Sequence, residues 1–247
     1  MRRRTTQIAA IACLACATAC SSFGMPRGST EQGEAIFGLW QIFFWAGIGV
    51  AAIVYGLIGW SLIRYRRRNA DEELGRVFYA NLPLEIVYTA VPVLIVIALF
   101  VVSIGTEDRA SSVSATPDVT LRAEAFSWGW RFGFPDEGIE VVSEPSGQGV
   151  PGPEILLPLG RTTRIELTSN DVIHAFWVHD FLYKRDAIPG HVNEFDVTPT
   201  ELGTYHGVCS EFCGIHHAYM TFTVRVVQPD EFEAWLSGAA AIGEALA

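Results

Sequence analysis

The residues best suited to chemistry lie close together near the C-terminus, between Cys209 and Met220. Over twelve residues this stretch supplies two thiols, two imidazoles and one thioether. Soft sulfur combined with imidazole favours copper, zinc or iron–sulfur over magnesium or calcium. A mononuclear blue-copper site uses one cysteine, and structural zinc has little use for methionine. Two thiolates four residues apart fit a pair of bridged copper ions, with His217 capping one ion and Met220 as a weak axial ligand.

The second copper ion needs an imidazole from elsewhere in the chain, and His174 is the candidate. It lies in a turn after a predicted strand, 35 residues before Cys209. A lone histidine beside Phe176 and Trp177 is more often a packed core residue. Because the stretch from Cys209 to Met220 needs a further imidazole, a metal-ligand role becomes the favoured interpretation of His174.

Two alternatives stay open at this stage. His216 is the neighbour of His217 and could replace it as the ligand. Cys209 and Cys213 could form a disulfide in an oxidising compartment, although this pairing leaves Met220 and His217 without a role.

The distal part of the chain has the pattern of a β domain that could hold these residues. Short alternating runs at residues 119–126, 161–168, 192–197 and 219–227 predict strands, and prolines and glycines separate them. We therefore expect an all-β Greek-key sandwich or barrel over residues 106–247, with a closing helix or tail from residue 229.

Two apolar runs precede that domain and predict a transmembrane hairpin. Residues 36–63 contain no charged side chain, and residues 82–105 form the second run. Each is longer than the roughly 20 residues that cross a bilayer. The connecting loop, residues 64–81, opens with a basic cluster typical of a cytoplasmic flank: Arg64, Arg66, Arg67 and Arg68. The second helix then returns the chain to the outside.

Glu85 is an ionisable residue near the cytoplasmic end of the second run. Such a group usually faces protein or a water path, because burial in lipid is costly. A carboxylate at the interface can also extend into water. The residue pattern by itself leaves both interpretations open.

The N-terminus has the pattern of an export signal. Three arginines precede an apolar run, residues 8–19, that is too short to span a bilayer. Residues 1–19 are predicted to be a signal peptide and residues 20–35 an extracytoplasmic segment. Residues 17–20 resemble a bacterial lipobox, which would place a lipid anchor on Cys20. Cleavage without lipid, or a retained apolar N-terminus, is the alternative.

Negative charge is concentrated in the distal domain. From Glu107 onward 21 acidic and 8 basic residues give a net charge of −13, whereas the preceding part carries +3. Such a surface repels nucleic acid and favours basic partners. The simpler interpretation is that the charge only keeps the domain soluble.

Taken together, these motifs resemble subunit II of the haem–copper cytochrome c oxidases. The loop matches Cys-Ser-Glu-x-Cys-Gly-x-x-His-x-x-Met in full. Further similarity lies at residues 82–92, 128–130, 171–174 and 186–190, which read LPLEIVYTAVP, WGW, DVIH and DAIPG. The order of two helices and a cupredoxin-like domain also agrees.

The resemblance implies a ligand set for the two coppers of a centre called CuA. It comprises bridging thiolates, one imidazole for each ion, a thioether and a backbone carbonyl. These ligands would be Cys209, Cys213, His174, His217, Met220 and the carbonyl of Glu211. The carboxylate of Glu211 would reach a magnesium or manganese ion shared with subunit I.

The resemblance also implies routes for electrons and protons. Trp128 would receive electrons from cytochrome c, and Trp130 would lie behind it, although core packing also explains Trp130. Electrons would continue to haem in subunit I, where oxygen is reduced and protons are pumped. Glu85 would lie at the mouth of a proton path, and Asp171 would help to dock cytochrome c. The setting would be a bacterial inner membrane, with lipid and other oxidase subunits as neighbours.

Three other classes share part of this pattern. Quinol-oxidising relatives keep the fold but lack the copper ligands, and nitrous oxide reductase shares the loop without the two spans. A membrane-tethered copper-delivery protein is the third. It would have no use for Trp128 or Glu85.

Overall fold

The computed structural model describes residues 24–66, 79–136, 138–142, 147, 149 and 151–246. The predicted signal peptide, Cys20 and most of the connecting loop lie outside these residues. The chain divides into two units. One is Gly38–Ala110, and the other combines Ser111–Ala247 with the residues that precede Gly38.

Helix α1, Glu31–Arg64, begins before the predicted span of residues 36–63 because its first turn is polar and capped. The Thr30 hydroxyl accepts a hydrogen bond from the Gly33 N–H at 2.9 Å. Glu34 also lies in this turn, where negative charge stabilises the helix dipole. At 34 residues the helix is about 50 Å long, which exceeds the roughly 30 Å of membrane hydrocarbon.

Helix α2, Leu82–Ser111, follows the connecting loop. Asn81 caps it, because its side-chain oxygen accepts the Leu84 N–H at 3.3 Å. The Glu85 carboxylate in turn accepts the Asn81 N–H at 2.9 Å, so the two residues cap each other's backbone reciprocally. Both helices are long and apolar enough to cross a membrane.

The β domain contains ten strands within the described residues. In chain order they are β1 Val119–Phe126, β2 Gly129–Phe134, β3 Ile139–Val142, β4 Glu154–Pro158, β5 Thr163–Ser169, β6 His174–Val178, β7 Tyr183–Ala187, β8 Asn193–Val197, β9 Gly203–Cys209 and β10 Thr221–Val227. Helix α3, Pro229–Leu246, follows the last strand, as the sequence predicted.

The strands form two five-stranded sheets, ordered β3-β2-β1-β5-β8 and β4-β10-β9-β6-β7. Pairing is antiparallel except between β1 and β5 and between β4 and β10. Strands distant in sequence are therefore neighbours within each sheet, as in Greek-key domains. The predicted fold class, a two-helix membrane hairpin followed by an all-β Greek-key domain, is confirmed.

Aromatic side chains fill the core of the domain. Trp130, Phe176 and Phe222 are almost completely buried and contact one another. The ring of Phe222 occupies the space beside Gly207, where a Cβ would come within 2.1 Å of it. This close approach packs β9 against β10. The segment that connects these two strands, residues 210–220 with the candidate ligand Cys209 at its start, is called the ligand loop below.

The segment before α1 is part of the β domain. The Ser29 N–H donates to the Asp180 carbonyl at 2.9 Å, and the Glu31 N–H donates to the Thr198 carbonyl at 3.0 Å. The Ser29 carbonyl accepts from the Thr200 N–H at 2.9 Å. These bonds tie the chain around residues 29–31 to two loops far away in sequence.

Candidate metal centre

One edge of the second sheet brings the predicted ligands together. His174 is the first residue of β6, Cys209 is the last residue of β9, and Met220 precedes β10. Because β6 and β10 both run antiparallel to β9, their starts meet the end of β9 at one edge. The Cys209 N–H donates to the Met220 carbonyl at 2.9 Å and closes the base of the loop.

Hydrogen bonds within the loop shape its far end. Gly214 has a φ of 120°, which side chains with a Cβ rarely adopt. Its carbonyl accepts the His217 N–H at 3.2 Å, and a 3-10 turn, His217–Tyr219, follows. This turn carries the His217 side chain back towards Cys213.

The two sulfurs are placed to share a metal. The Sγ atoms of Cys209 and Cys213 are 3.8 Å apart, and both cysteines are free, so the alternative disulfide is not formed. Since metal–sulfur bonds are about 2.3 Å long, both sulfurs can reach one ion. The Nδ1 of His174 lies 3.8 Å from Cys209 Sγ, and the Nδ1 of His217 lies 3.5 Å from Cys213 Sγ.

Weaker donors lie beside each thiol. The Met220 sulfur is 4.0 Å from Cys213 Sγ and is buried. The Glu211 carbonyl is 3.3 Å from Cys209 Sγ. Two thiols, two imidazoles, a thioether and a carbonyl thus surround one small volume, and this soft donor set fits copper.

The pKa values of the two thiols differ because their burial and their hydrogen-bond partners differ. Burial raises the pKa of Cys209, but hydrogen bonds with His174 and the backbone of Ala175 outweigh burial and bring that pKa to about 7. Burial, together with the charge on Cys209, raises the pKa of Cys213 to about 12. The negative charge on one thiolate therefore disfavours ionisation of the other thiol. A metal cation would favour the doubly deprotonated pair.

Asp171 orients His174. The Nε2 of His174 lies 2.9 Å from the Asp171 carboxylate, which also accepts the Ser127 N–H at 2.7 Å. Burial raises the pKa of Asp171, but bonds with His174, Val172 and Ser127 lower it to about 2. An ionised carboxylate only accepts hydrogen bonds, so Nε2 carries the proton and Nδ1 is left free to bind a metal.

Burial alone would lower the pKa of His174, which is completely enclosed. The hydrogen bonds with Cys209 and Asp171 outweigh burial and raise that pKa overall. The sequence suggested a docking role for Asp171. Its contact with His174 was not predicted, although the three-residue spacing in a turn is a signal that could have revealed it.

Trp128 contacts the ligand loop directly. Its indole N–H donates to the carbonyl of Cys213 at 2.9 Å, and the side chain is half-buried. A Cβ on Gly214 would lie 3.0 Å from the indole, so the ring rests against bare backbone. The His216 ring meets Trp128 edge to face, with centroids 5.0 Å apart. Of the two adjacent histidines, His217 therefore faces a thiol and His216 faces the tryptophan.

Trp130 lies elsewhere, in the closed core. It is completely buried and stacks on Phe132, with further contacts to Phe176 and Phe222. These contacts describe a packing residue, which is the alternative that the sequence offered for it.

The side-chain carboxylates of two further predicted site residues, Glu211 and Glu85, are not among the donors of the cluster. The Glu211 side chain is exposed, and its carboxylate is not part of the donor group formed by His174, Cys209 and Cys213 within the described residues. Glu85 lies in the helical unit, where its carboxylate caps α2. Its involvement in that cap was not predicted.

Two apolar helices joined to a Greek-key β domain with a thiol–imidazole–thioether cluster define a membrane-anchored copper protein. Residues 18–105 match the family described as cytochrome C oxidase subunit II, transmembrane domain. Residues 151–227 match cytochrome C oxidase subunit II, periplasmic domain.

Full-length relatives agree with these matches. The probable cytochrome c oxidase subunit 2 of Streptomyces coelicolor is 37% identical, over 99% of this chain and 89% of its own length. Cytochrome c oxidase subunit 2 of Mycobacterium tuberculosis is 32% identical, over 86% and 74%. The periplasmic domain of subunit II of cytochrome oxidase from Bradyrhizobium japonicum is similar in structure, with a TM-score of 0.47 and 36% identity, covering 51% of this chain and 96% of that one.

The chain belongs to the cytochrome c oxidase subunit II family. It is a membrane-bound subunit of an oxidoreductase complex, its partners are other oxidase subunits, and its C-terminal domain is extracytoplasmic. The copper-delivery alternative is not favoured.

Proposed function

We propose that the ligand cluster holds a binuclear copper centre of the CuA type, which takes electrons from cytochrome c and delivers them to haem in subunit I. The observation that carries this proposal is the pair of free thiols 3.8 Å apart with an imidazole nitrogen facing each. A mononuclear blue-copper site, which uses one cysteine and two histidines, would leave one of the two thiols unused. The ligands would be His174, Cys209, Cys213, His217, Met220 and the carbonyl of Glu211.

When bound, the two coppers would supply reversible one-electron chemistry with little change in geometry. The chain's own residues would keep that geometry fixed. Asp171 holds the His174 ring, and the backbone hydrogen bond from Cys209 to Met220 closes the loop. Burial keeps water from the sulfurs of Cys209 and Met220, and Cys213 is partly buried. Such support from residues behind the ligands tunes and retains a metal.

Trp128 would be the point at which electrons enter. It is half-buried, so one part of the ring faces the surface while its N–H reaches the backbone of Cys213. The net charge of −13 in the distal domain supports a basic cytochrome c as the donor. Trp130 would support Trp128 through the short chain segment between them.

Glu211 and Glu85 would serve the rest of the complex. The exposed Glu211 carboxylate would contribute to a magnesium or manganese site completed by subunit I. Glu85 would lie at the mouth of a proton path at the cytoplasmic end of α2, within reach of water and of subunit I.

The proposed topology places the domain on the outer side of a bacterial inner membrane. Residues 1–19 would be removed as a signal peptide, with lipid on Cys20 of the remaining segment, residues 20–35. Residues 36–63 and 82–105 would span lipid, residues 64–81 would be the cytoplasmic loop, and residues 106–247 the extracytoplasmic domain.

Elemental analysis of the purified oxidase tests the metal assignment. We expect Cys213→Ser to hold two fewer coppers per copy of this chain than wild type, whatever copper the other subunits carry. Ser210→Ala changes the same loop without removing a proposed ligand and should keep both. A difference of only one copper between wild type and Cys213→Ser, or zinc in place of that copper, would overturn the assignment.

A further inference from the structure

The ring of His216 is not a metal ligand in the proposed centre, yet it is held close to that centre. Its Nδ1 is shielded from solvent, and no described residue forms a hydrogen bond with it. The ring instead packs against Trp128, with an interplanar angle of 78° and centroids 5.0 Å apart. Its other aromatic neighbour in the described residues is Tyr219, at 6.3 Å. Ring packing, rather than hydrogen bonding at Nδ1, therefore places this side chain.

The same loop supports Trp128 at three points. The Cys213 carbonyl accepts the indole N–H at 2.9 Å. The bare backbone of Gly214 lies along the indole, where a Cβ would be 3.0 Å from Cζ2 and 3.2 Å from Nε1. The His216 ring adds an edge-to-face contact, an arrangement that aromatic rings prefer. These three supports lie within four consecutive residues.

We propose that His216 is a positioning residue, which holds the Trp128 indole in the orientation that keeps its N–H hydrogen-bonded to the carbonyl of the proposed ligand Cys213. A half-buried tryptophan has other rotamers available, and the hydrogen bond alone leaves the ring free to tilt. The contact with His216 removes that freedom. This inference rests on the proposed function, because seating matters for catalysis only if electrons enter through Trp128.

The hydrogen bond of the Trp128 indole can be measured without enzyme turnover. Ultraviolet resonance Raman spectra report hydrogen bonding at an indole N–H, and subtraction of the Trp128→Phe spectrum isolates Trp128 from the other tryptophans. We expect His216→Ala to shift this band towards a weaker hydrogen bond, in the copper-free full chain as well as in the oxidase. His216→Phe keeps an aromatic ring and should restore the band.

The kinetic consequence follows in the assembled oxidase. Reduction of the copper centre by cytochrome c should slow by about threefold in His216→Ala, the order of effect that one aromatic contact supplies. His216→Phe should recover the rate. The copper spectrum and the onward transfer to haem should not change in either variant.

His179→Ala is the matched control, since His179 packs on Trp177 at 4.0 Å, away from the ligand loop. It should leave the Trp128 band and the rate unchanged. An unshifted band in His216→Ala, or a failure of His216→Phe to restore it, would overturn the proposal. A wild-type chain that lacks a copper pair would instead contradict the proposed function. The two failures are distinguishable, because the indole band is measured in copper-free protein and does not depend on the copper content.

Discussion

At the scale of single residues, the cluster depends on side chains that do not themselves bind metal. Asp171 is the clearest example, because its carboxylate fixes the protonated nitrogen of His174 and so frees the other one. The sequence pointed to the ligands through their types and spacing. This support was not predicted, because the three-residue spacing brings the two side chains together only when the chain turns at residues 171–174.

We expect Asp171→Ala to weaken copper retention by about 10- to 100-fold, the usual cost of removing a partner behind a ligand histidine. Competition against a copper chelator measures the effect. Glu201→Gln removes an exposed acid elsewhere in the domain and should have none. If Asp171 served only in docking, copper retention would be unchanged and only the KM for cytochrome c would rise.

Substitutions of the two tryptophans, Trp128 and Trp130, should have different effects. Trp128→Phe removes the N–H that reaches Cys213 and should slow reduction by cytochrome c without loss of copper. Trp130→Ala empties a completely buried site and should cost about 3–5 kcal/mol of domain stability. Thermal unfolding and reduction kinetics on the same preparations distinguish them. A normal rate in Trp128→Phe would remove its N–H from the route.

At the scale of elements, alternation and capping explain what the sequence predicted. Strand β1 coincides with the predicted run at residues 119–126, because its burial alternates along its length. Strands β5, β8 and β10 begin one or two residues after the predicted runs. Strand β6 was not predicted, since it is buried at nearly every position and lacks the alternation of a half-exposed strand.

Glu85, in the first turn of α2, has both a structural role and a proposed functional role. Its carboxylate accepts the Asn81 N–H, an interaction that glutamine can also make. Glu85→Gln should therefore keep the helix cap but lose the titratable proton, and oxygen turnover should fall. Asn81→Ala keeps the carboxylate and loses a cap bond worth about 1 kcal/mol, so turnover should persist.

Steady-state oxygen consumption measures both variants. Equal turnover of Glu85→Gln and wild type would show that Glu85 only caps the helix and has no role in a proton path. A turnover defect in Asn81→Ala that matched the Glu85→Gln defect would assign the effect to helix structure and remove the proton path.

At the scale of the whole molecule, the β domain is joined across long sequence distances that local patterns cannot predict. Residues 29–31 bind loops around residues 180 and 198. Arg164 pairs with the buried Asp196 and donates to the Ser114 carbonyl at 2.5 Å, while the Ser114 N–H donates to Asp196, also at 2.5 Å. These bonds fasten the chain that follows α2 to β5 and β8.

Removal of Arg164 should be costly, because it leaves the Asp196 carboxylate buried without its partner. Arg164→Ala is expected to destabilise the domain by about 3–5 kcal/mol. Arg122→Ala removes the exposed pair with Glu166 and should cost less than about 1 kcal/mol. Thermal unfolding of the two variants in the purified complex compares them. Equal shifts would show that the buried pair contributes no more than a surface pair.

In the proposed centre, two coppers held by the thiolates of Cys209 and Cys213 would share one unpaired electron. Electron paramagnetic resonance of the oxidised complex measures whether that electron is shared. We expect hyperfine lines from an unpaired electron spread equally over two copper nuclei, and these lines should disappear in Cys213→Ser. A spectrum with the hyperfine pattern of a single copper nucleus would contradict it.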